Sequence, residues 1–220
     1  ISGFDGSAGT VIVTRKKAGL WTDSRYFNQA EKQLAGNEIT LFKKGIEGVL
    51  EPAAWLGREL EADMRVGLNG AVFSIEAYRD LVDDLAAHSI EVVALEKDLV
   101  DEVWGADRPA LPKGAVRLHP KQWSGQSADR KIERLRVEMQ AQNARAVVIS
   151  ALDEIAWLLN LRGKDVKYNP VFVSYAVVTA DAVRLYVDRE KIDDGMRAQM
   201  EAEVSIHDYG DFADGVSALA

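Results

Sequence analysis

The sequence predicts an α/β chain of two domains, and three observations carry that expectation. Strand-type and helix-type patterns alternate along its length. A stretch rich in chain breakers, with Gly105, Pro109, Pro112, Gly114 and Pro120 between Trp104 and Trp123, divides it near the middle. A short pattern then recurs on both sides of that stretch. At 220 residues the chain holds roughly one and a half typical domain lengths, so one large or two small domains fit.

In the first half, Thr10–Thr14 (TVIVT) and Gly19–Thr22 are β-branched or apolar runs separated by the polar turn Arg15-Lys16-Lys17, which reads as a hairpin. Tyr26–Leu34 is helical, with Phe27, Ala30 and Leu34 on one face. Glu38–Phe42 is a strand that ends at the breakers Gly45 and Gly48. Leu50–Leu60 is a helix that tolerates Pro52 in its first turn. Arg65–Leu68 is a short strand. Ser74 is placed to cap a helix running to about Ala87, with Leu81 and Leu85 inward, and Ile90–Leu95 is a further strand.

The domain boundary is set in the Pro-rich stretch, with a first domain over 1–118 and a second over 119–220. In the second, Ser127 caps a helix to about Gln142, with Ile132, Leu135 and Met139 at helical spacing. Ala146–Ile149 is a strand and Leu152–Leu159 a helix. Val171–Thr179 and Val183–Val187 are strands, Lys191–Glu203 a helix, Val204–His207 a strand and Phe212–Ala220 a helix.

The recurring pattern sets Ile12-Val13-Thr14 against Val177-Val178-Thr179. Downstream, Ala18 meets Val183, Leu20 meets Leu185, Trp21 meets Tyr186 and Asp23 meets Asp188. Each copy is a loop, a hairpin and a helix. The first copy has no counterpart of strand 146–149 and helix 152–159, so residues completing it are expected upstream of Ile1.

Composition removes several function classes. Apolar residues at 47% and charged residues at 28% describe a globular chain. Lys+Arg 27 against Asp+Glu 35 gives a net charge of −8, which speaks against nucleic acid or an anionic membrane as main partner. The absence of cysteine excludes disulfides, thiolate metal sites and a cysteine nucleophile. No apolar run approaches the ~18 residues of a membrane span. His88, His119 and His207 lie at no ligand spacing, and the pairs Asp83-Asp84 and Asp193-Asp194 read as helix-surface acids, so no metal site is expected in this chain. The loop Gly3-Phe4-Asp5-Gly6-Ser7-Ala8-Gly9 lacks the Lys-Ser/Thr of a P-loop and reads as a tight loop feeding a strand. No serine-nucleophile motif is present. The basic run Arg130, Lys131, Arg134, Arg136 reads as a solvated helix face.

Two segments carry more than structure requires. Leu20-Trp21-Thr22-Asp23-Ser24-Arg25-Tyr26-Phe27 places an acid, an arginine and three aromatics where a strand passes into a helix. Trp21 and Phe27 fit a core, and Asp23 or Ser24 fits an N-cap. Arg25 fits neither role, and its planar fork suits a carboxylate or a peptide carbonyl. Asp153–Asp165, continuing through Asn169–Tyr175, is an apolar helix turning into a polar loop that suits a cleft wall or a domain contact.

At these residues the chain resembles a known family. ISGFDGSAGT, LWTDSRYFNQAEKQL, LVDEVWGADRP and LDEIAWLLNLRGKDVKYNPVFVSYAVV are similar, in the same order, to the non-catalytic region of the long, three-domain cytosolic Xaa-Pro aminopeptidases. The resemblance implies two creatinase/prolidase N-terminal-like domains, with mixed sheets flanked by helices. It places the catalytic pita-bread domain, with its two divalent metals (usually manganese), its metal ligands and its proton-transfer histidines, outside this chain. No catalytic residue or metal ligand therefore carries over, and the chain alone is expected to be inactive. One residue does carry over: the family's Trp-Thr-Asp-x-Arg-Tyr-Phe arginine, which reaches the peptide substrate, falls on Arg25. Ser24 stands where many relatives have Gly. The resemblance further implies that the Arg162–Tyr175 loop faces the catalytic domain. It also implies a homodimeric parent, a cytoplasmic location and a peptide substrate with proline second. The alternative is an inactive creatinase-like module that binds protein or peptide.

Overall fold

The computed structural model describes residues 2–200 and 203–219. Contacts group the chain into two compact units, Ile1–Arg108 and Pro109–Ala220.

In the first unit β1 (Thr10–Val13), β2 (Ala18–Thr22) and β3 (Ile39–Lys43) form a sheet in the order β1-β2-β3, with α1 (Phe27–Gln33) between β2 and β3 in the chain. β1 and β2 are antiparallel and β2 and β3 parallel, so the sheet is mixed. Then follow α2 (Pro52–Glu59), β4 (Arg65–Leu68), α3 (Ile75–Ala86), β5 (Glu91–Ala94) and α4 (Leu99–Trp104), with β4 and β5 a parallel pair. Alternation along β2 sends successive side chains to opposite faces. Leu20 packs with Ala30 and Leu34 of the first helical segment, while Trp21 packs with Trp55, Leu56 and Leu85. Trp21 also stacks on Phe42 at 4.2 Å and donates its indole N–H to the Leu50 carbonyl at 2.7 Å, which lets a large polar-tipped ring be buried. Pro52 sits in the first turn of α2, and the Ser74 hydroxyl caps α3 by accepting from Ala77 N–H at 3.1 Å, as the sequence predicts.

The second unit contains β6 (Arg117–Leu118), α5 (Lys121–Ser124), α6 (Ala128–Ala141), β7 (Ala146–Ile149), α7 (Leu152–Leu158), β8 (Leu161–Arg162), β9 (Ser174–Thr179), β10 (Val183–Val187), α8 (Asp194–Arg197), β11 (Val204–His207) and α9 (Phe212–Ser217). Its main sheet runs β11-β10-β9-β7. β9 is antiparallel to both neighbours and β11 parallel to β10. Ile132, Ile155, Leu161, Phe172 and Leu185 fill its core. The two mixed sheets with their helices are the α/β arrangement expected.

The internal repeat is real at the level of register. Val13 faces Ala18 as Val178 faces Val183, and Val11 faces Leu20 as Ala176 faces Leu185. On the other side of each hairpin Leu20 faces Leu41 as Leu185 faces Ile206, and Trp21 faces Phe42 as Tyr186 faces His207. The offset is the same at every pair. Even the turns agree: the Thr14 hydroxyl accepts from Lys17 N–H and the Thr179 hydroxyl from Ala182 N–H, both at 3.1 Å. β9 is flanked on both sides, whereas β1 pairs only with β2 among the described residues.

Several expectations differ from the structure. The segment 109–118, which the sequence reading assigns to the first domain, lies with the second unit. Val116 N–H donates to Lys191 O at 2.9 Å, and Arg117–Leu118 pairs with Leu161–Arg162. The helix expected over Lys191–Glu203 reduces to α8 after a 3-10 turn at Arg189–Lys191, because Asp193 caps a new start by accepting from Met196 N–H at 2.7 Å. Residues 201–202 of that expected helix, and Ala220 of the last one, lie outside the described residues. Val171–Val173 is not strand, since Val173 N–H is taken by the Asp165 carboxylate at 2.7 Å. Ser127 stands at the start of α6 but makes no side-chain cap.

Candidate functional site

Arg25 sits in the turn between β2 and α1. Asp23 organises that turn: its Oδ1 accepts from Arg25 backbone N–H at 3.1 Å, and its carbonyl accepts from Tyr26 N–H at 3.0 Å. The N-terminal position of α1 is Tyr26, with no side-chain cap, so neither Asp23 nor Ser24 caps the helix as expected. The Asp23 carboxylate is instead engaged by the Arg25 guanidinium, Nε to Oδ1 at 2.9 Å and Nη2 to Oδ2 at 2.7 Å, a two-pronged pairing that matches the shapes of both groups. The hydrogen bond from Arg25 holds the Asp23 carboxyl below its usual range, and Asp23 raises Arg25 in return. The Arg25 side chain is 69% exposed, so the fork is held in shape while remaining accessible to a ligand.

The glycine loop walls this turn. Tyr26 hydroxyl and Ser7 hydroxyl share a 2.5 Å hydrogen bond, which lowers the tyrosine's pKa. Asp5 accepts from the amides of Gln29 at 2.6 Å and Gln33 at 2.5 Å, and Thr22 hydroxyl donates to Ala8 O at 2.6 Å. The loop is thus laced to α1 and β2, and Phe4 lies edge-on to Tyr26. Gly9 gives clearance: a Cβ there would come within 3.1 Å of the Phe4 ring and 3.2 Å of Leu20.

The second unit contains the same turn with different chemistry. Asp188 Oδ1 accepts from Glu190 N–H at 3.0 Å, and its carbonyl accepts from Lys191 N–H at 3.0 Å. Where the first unit has Arg25 and Tyr26, the second has Glu190 and Lys191. The turn is therefore a property of the repeated fold, while a guanidinium paired with the turn's own aspartate is particular to the first unit; in the second, Arg189 pairs with Asp208 instead.

The Arg162–Tyr175 loop is held from within. Lys191 Nζ lies 2.5 Å from Asp165 Oδ2, and both side chains are shielded from water. Asn160, at φ 52°, turns the chain out of α7, accepts from Lys131 Nζ at 2.7 Å and donates to Gln126 O at 2.8 Å. Lys131 also donates to Trp157 O at 2.6 Å. It is 3% exposed, so the expectation of a wholly solvated basic face on this helix is corrected: Lys131 turns inward to meet carbonyl oxygens, and its burial and Arg162 lower its pKa. This anchor is not legible in the sequence beyond the Asn160-Leu161-Arg162-Gly163 string.

No group of three or more His, Cys, Asp or Glu side chains able to hold a metal occurs among the described residues. His88, Asp83 and Asp84 are exposed. No helix is long and apolar enough to cross a membrane among the described residues.

The family model described as "Creatinase/Prolidase N-terminal domain" matches the chain twice in two versions, over residues 1–103 and 107–220. The chain is 47% identical over 215 residues to the "Probable Xaa-Pro aminopeptidase P" of Aspergillus niger, covering 97% of this chain and 35% of that protein. It is 44% identical over 218 residues to the protein of the same name from Aspergillus clavatus, covering 99% of this chain and 33% of that one. Among solved structures it is similar to an X-prolyl aminopeptidase from Caenorhabditis elegans, described as a cytosolic enzyme with a di-nuclear active site. The TM-score is 0.93 and the identity 36%, covering 99% of this chain and 35% of that one. The chain thus spans about a third of the length of the relatives it matches.

Proposed function

Since the chain belongs to the creatinase/prolidase N-terminal domain family, we propose that it forms the non-catalytic N-terminal region of an Xaa-Pro aminopeptidase. The observation that carries this reading is the likeness over 99% of the chain, at a TM-score of 0.93, to the worm X-prolyl aminopeptidase.

In this reading the two domains wall the substrate cleft and orient the peptide, and Arg25 supplies the contact from this chain. Its fork, pre-shaped by Asp23, can exchange that carboxylate for a carbonyl or carboxylate of the peptide, and little side-chain freedom is lost because the fork is already planar. Orientation of this kind lowers a barrier by limiting the geometries that need to be sampled. The bond-breaking chemistry belongs to the part of the protein outside this chain, where two divalent metals, manganese by family resemblance, would supply the activated hydroxide. A homodimer and a cytoplasmic location complete the proposal.

The test uses the full-length protein. Release of the N-terminal residue from an Xaa-Pro-Xaa peptide is followed with manganese and with a chelator. Metal-dependent release of only that residue supports the reading. A folded, metal-loaded protein that leaves the peptide intact overturns it in favour of an inactive peptide-binding module.

A further inference from the structure

In the second unit two arginines face each other directly. β6 and β8 are antiparallel, and Arg117 is the cross-strand partner of Arg162, as Leu118 is of Leu161. Alternation places Leu118 and Leu161 on one face of this ribbon, against the core, and Arg117, Arg162 and the flanking His119 on the other. Like charges directly opposite on a strand pair repel and destabilise it. None of Arg117, His119, Lys131 and Arg162 makes an ion pair with a carboxylate among the described residues.

Arg162 is half-buried and fixed: its Nη1 donates to Ala156 O at 2.7 Å and Leu161 O at 2.8 Å. Those bonds hold the guanidinium in place, so this is not a mobile surface arginine. Near it is Lys131, whose buried ammonium donates to the neutral oxygens of Trp157 and Asn160 and lies 4.5 Å from the centre of the Trp157 ring. The groups depress one another: after burial, Arg162 and Arg117 lower His119, Arg117 lowers Arg162, and Arg162 lowers Lys131. Among the described residues no carboxylate counters any of these shifts.

From this geometry we infer that Arg117 and Arg162 form an oxyanion-binding site, the anion bridging the two guanidinium groups with His119 at its flank. The ligand class is a carboxylate or phosphate group, for which paired planar forks are the natural receptor. The inference rests on residues of the second unit and stands whether or not the chain serves a peptidase. The anion has two possible sources: a free small ion, or a side-chain carboxylate of the same full-length protein.

The experiment takes the full-length protein and its Arg117→Gln, Arg162→Gln and Arg145→Gln variants, the last removing an exposed arginine elsewhere in the same unit. Inorganic phosphate is titrated calorimetrically at neutral pH, with ionic strength held constant by chloride. The wild type is also crystallised without phosphate or carboxylate additives. A free-ion site gives saturable phosphate binding, weakened about tenfold or more by either site variant and unchanged in Arg145→Gln. An internal carboxylate gives no phosphate binding but places a carboxylate oxygen within hydrogen-bond distance of both guanidinium groups in the crystal. The inference is overturned if phosphate binding is absent, unsaturable or equally weakened in Arg145→Gln, and the crystal shows only water between the arginines.

Discussion

Lys191 and Asp165 form a buried ion pair, Nζ to Oδ2 at 2.5 Å, that ties the turn after β10 to the Arg162–Tyr175 loop. Asp165 Oδ2 also accepts from Val173 N–H at 2.7 Å. Removing only the lysine strands a carboxylate away from water, which costs about 3–5 kcal/mol. Lys191→Met is therefore expected to lower the urea midpoint of this unit sharply. The double variant Lys191→Met/Asp165→Asn, which removes both charges and keeps an acceptor for Val173, is expected to recover more than half of the loss. Urea unfolding of both variants checks this; equal midpoints for the single and double variants would show that charge burial is not the cause.

Arg25→Ala removes the fork at the β2–α1 turn. In the full-length protein it is expected to lower kcat/KM for an Xaa-Pro peptide roughly tenfold or more, the equivalent of one charged hydrogen bond of about 1.5–3 kcal/mol. Arg25→Lys retains the charge and loses the two-pronged geometry, so an intermediate value is expected. Steady-state kinetics decide it, and unchanged parameters would remove Arg25 from the substrate site. The Arg25 side chain is largely exposed, so the urea midpoint should stay where it is in both variants.

Tyr209 is stacked on Tyr175 with ring centres 5.3 Å apart, and its hydroxyl lies 3.5 Å from that of Tyr175. Burial, and then the neighbouring phenol, push its pKa from 10.0 up to about 12. The folded value lies above the unfolded one, so the stabilisation is complete below pH 10.0 and is lost as pH rises through about 12. Ultraviolet titration of phenolate should show a late-ionising tyrosine that disappears in Tyr209→Phe. The variant should also lose less stability than the wild type across that interval.

Gly163 opens the polar loop where Val171 and Phe172 pass close by. A Cβ there would stand 2.6 Å from Phe172 Cβ and 2.8 Å from Val171 O, and backbone cannot move aside as a flexible side chain can. Gly163→Ala is expected to destabilise the second unit by about 1–3 kcal/mol through overpacking. Thermal unfolding measures the loss. Gly36→Ala is the contrast: nothing lies within 4 Å of its Cβ, and the strain of its φ of 84° alone should appear.

The sequence by itself determined the α/β class, most element positions and the duplication. These rest on local signals: alternating runs such as Thr10–Val13, a cap such as Ser74 and matched turn residues such as Thr14 and Thr179. It also singled out Arg25, because an arginine in this strand-to-helix turn fits neither the core role of Trp21 and Phe27 nor the capping role open to Asp23 and Ser24. Only the tertiary structure decided which charges meet. β6 and β8 are two residues each, too short to show any period, so the facing of Arg117 and Arg162 was not legible. Lys131 lies in a run of basic residues whose spacing says solvent, yet carbonyls from the end of α7 draw it inward. Asp165 and Lys191 meet across a separation of 26 residues. Periodicity records which face of an element is apolar; the partner of a buried charge is set by where distant segments come together, and no local pattern encodes that.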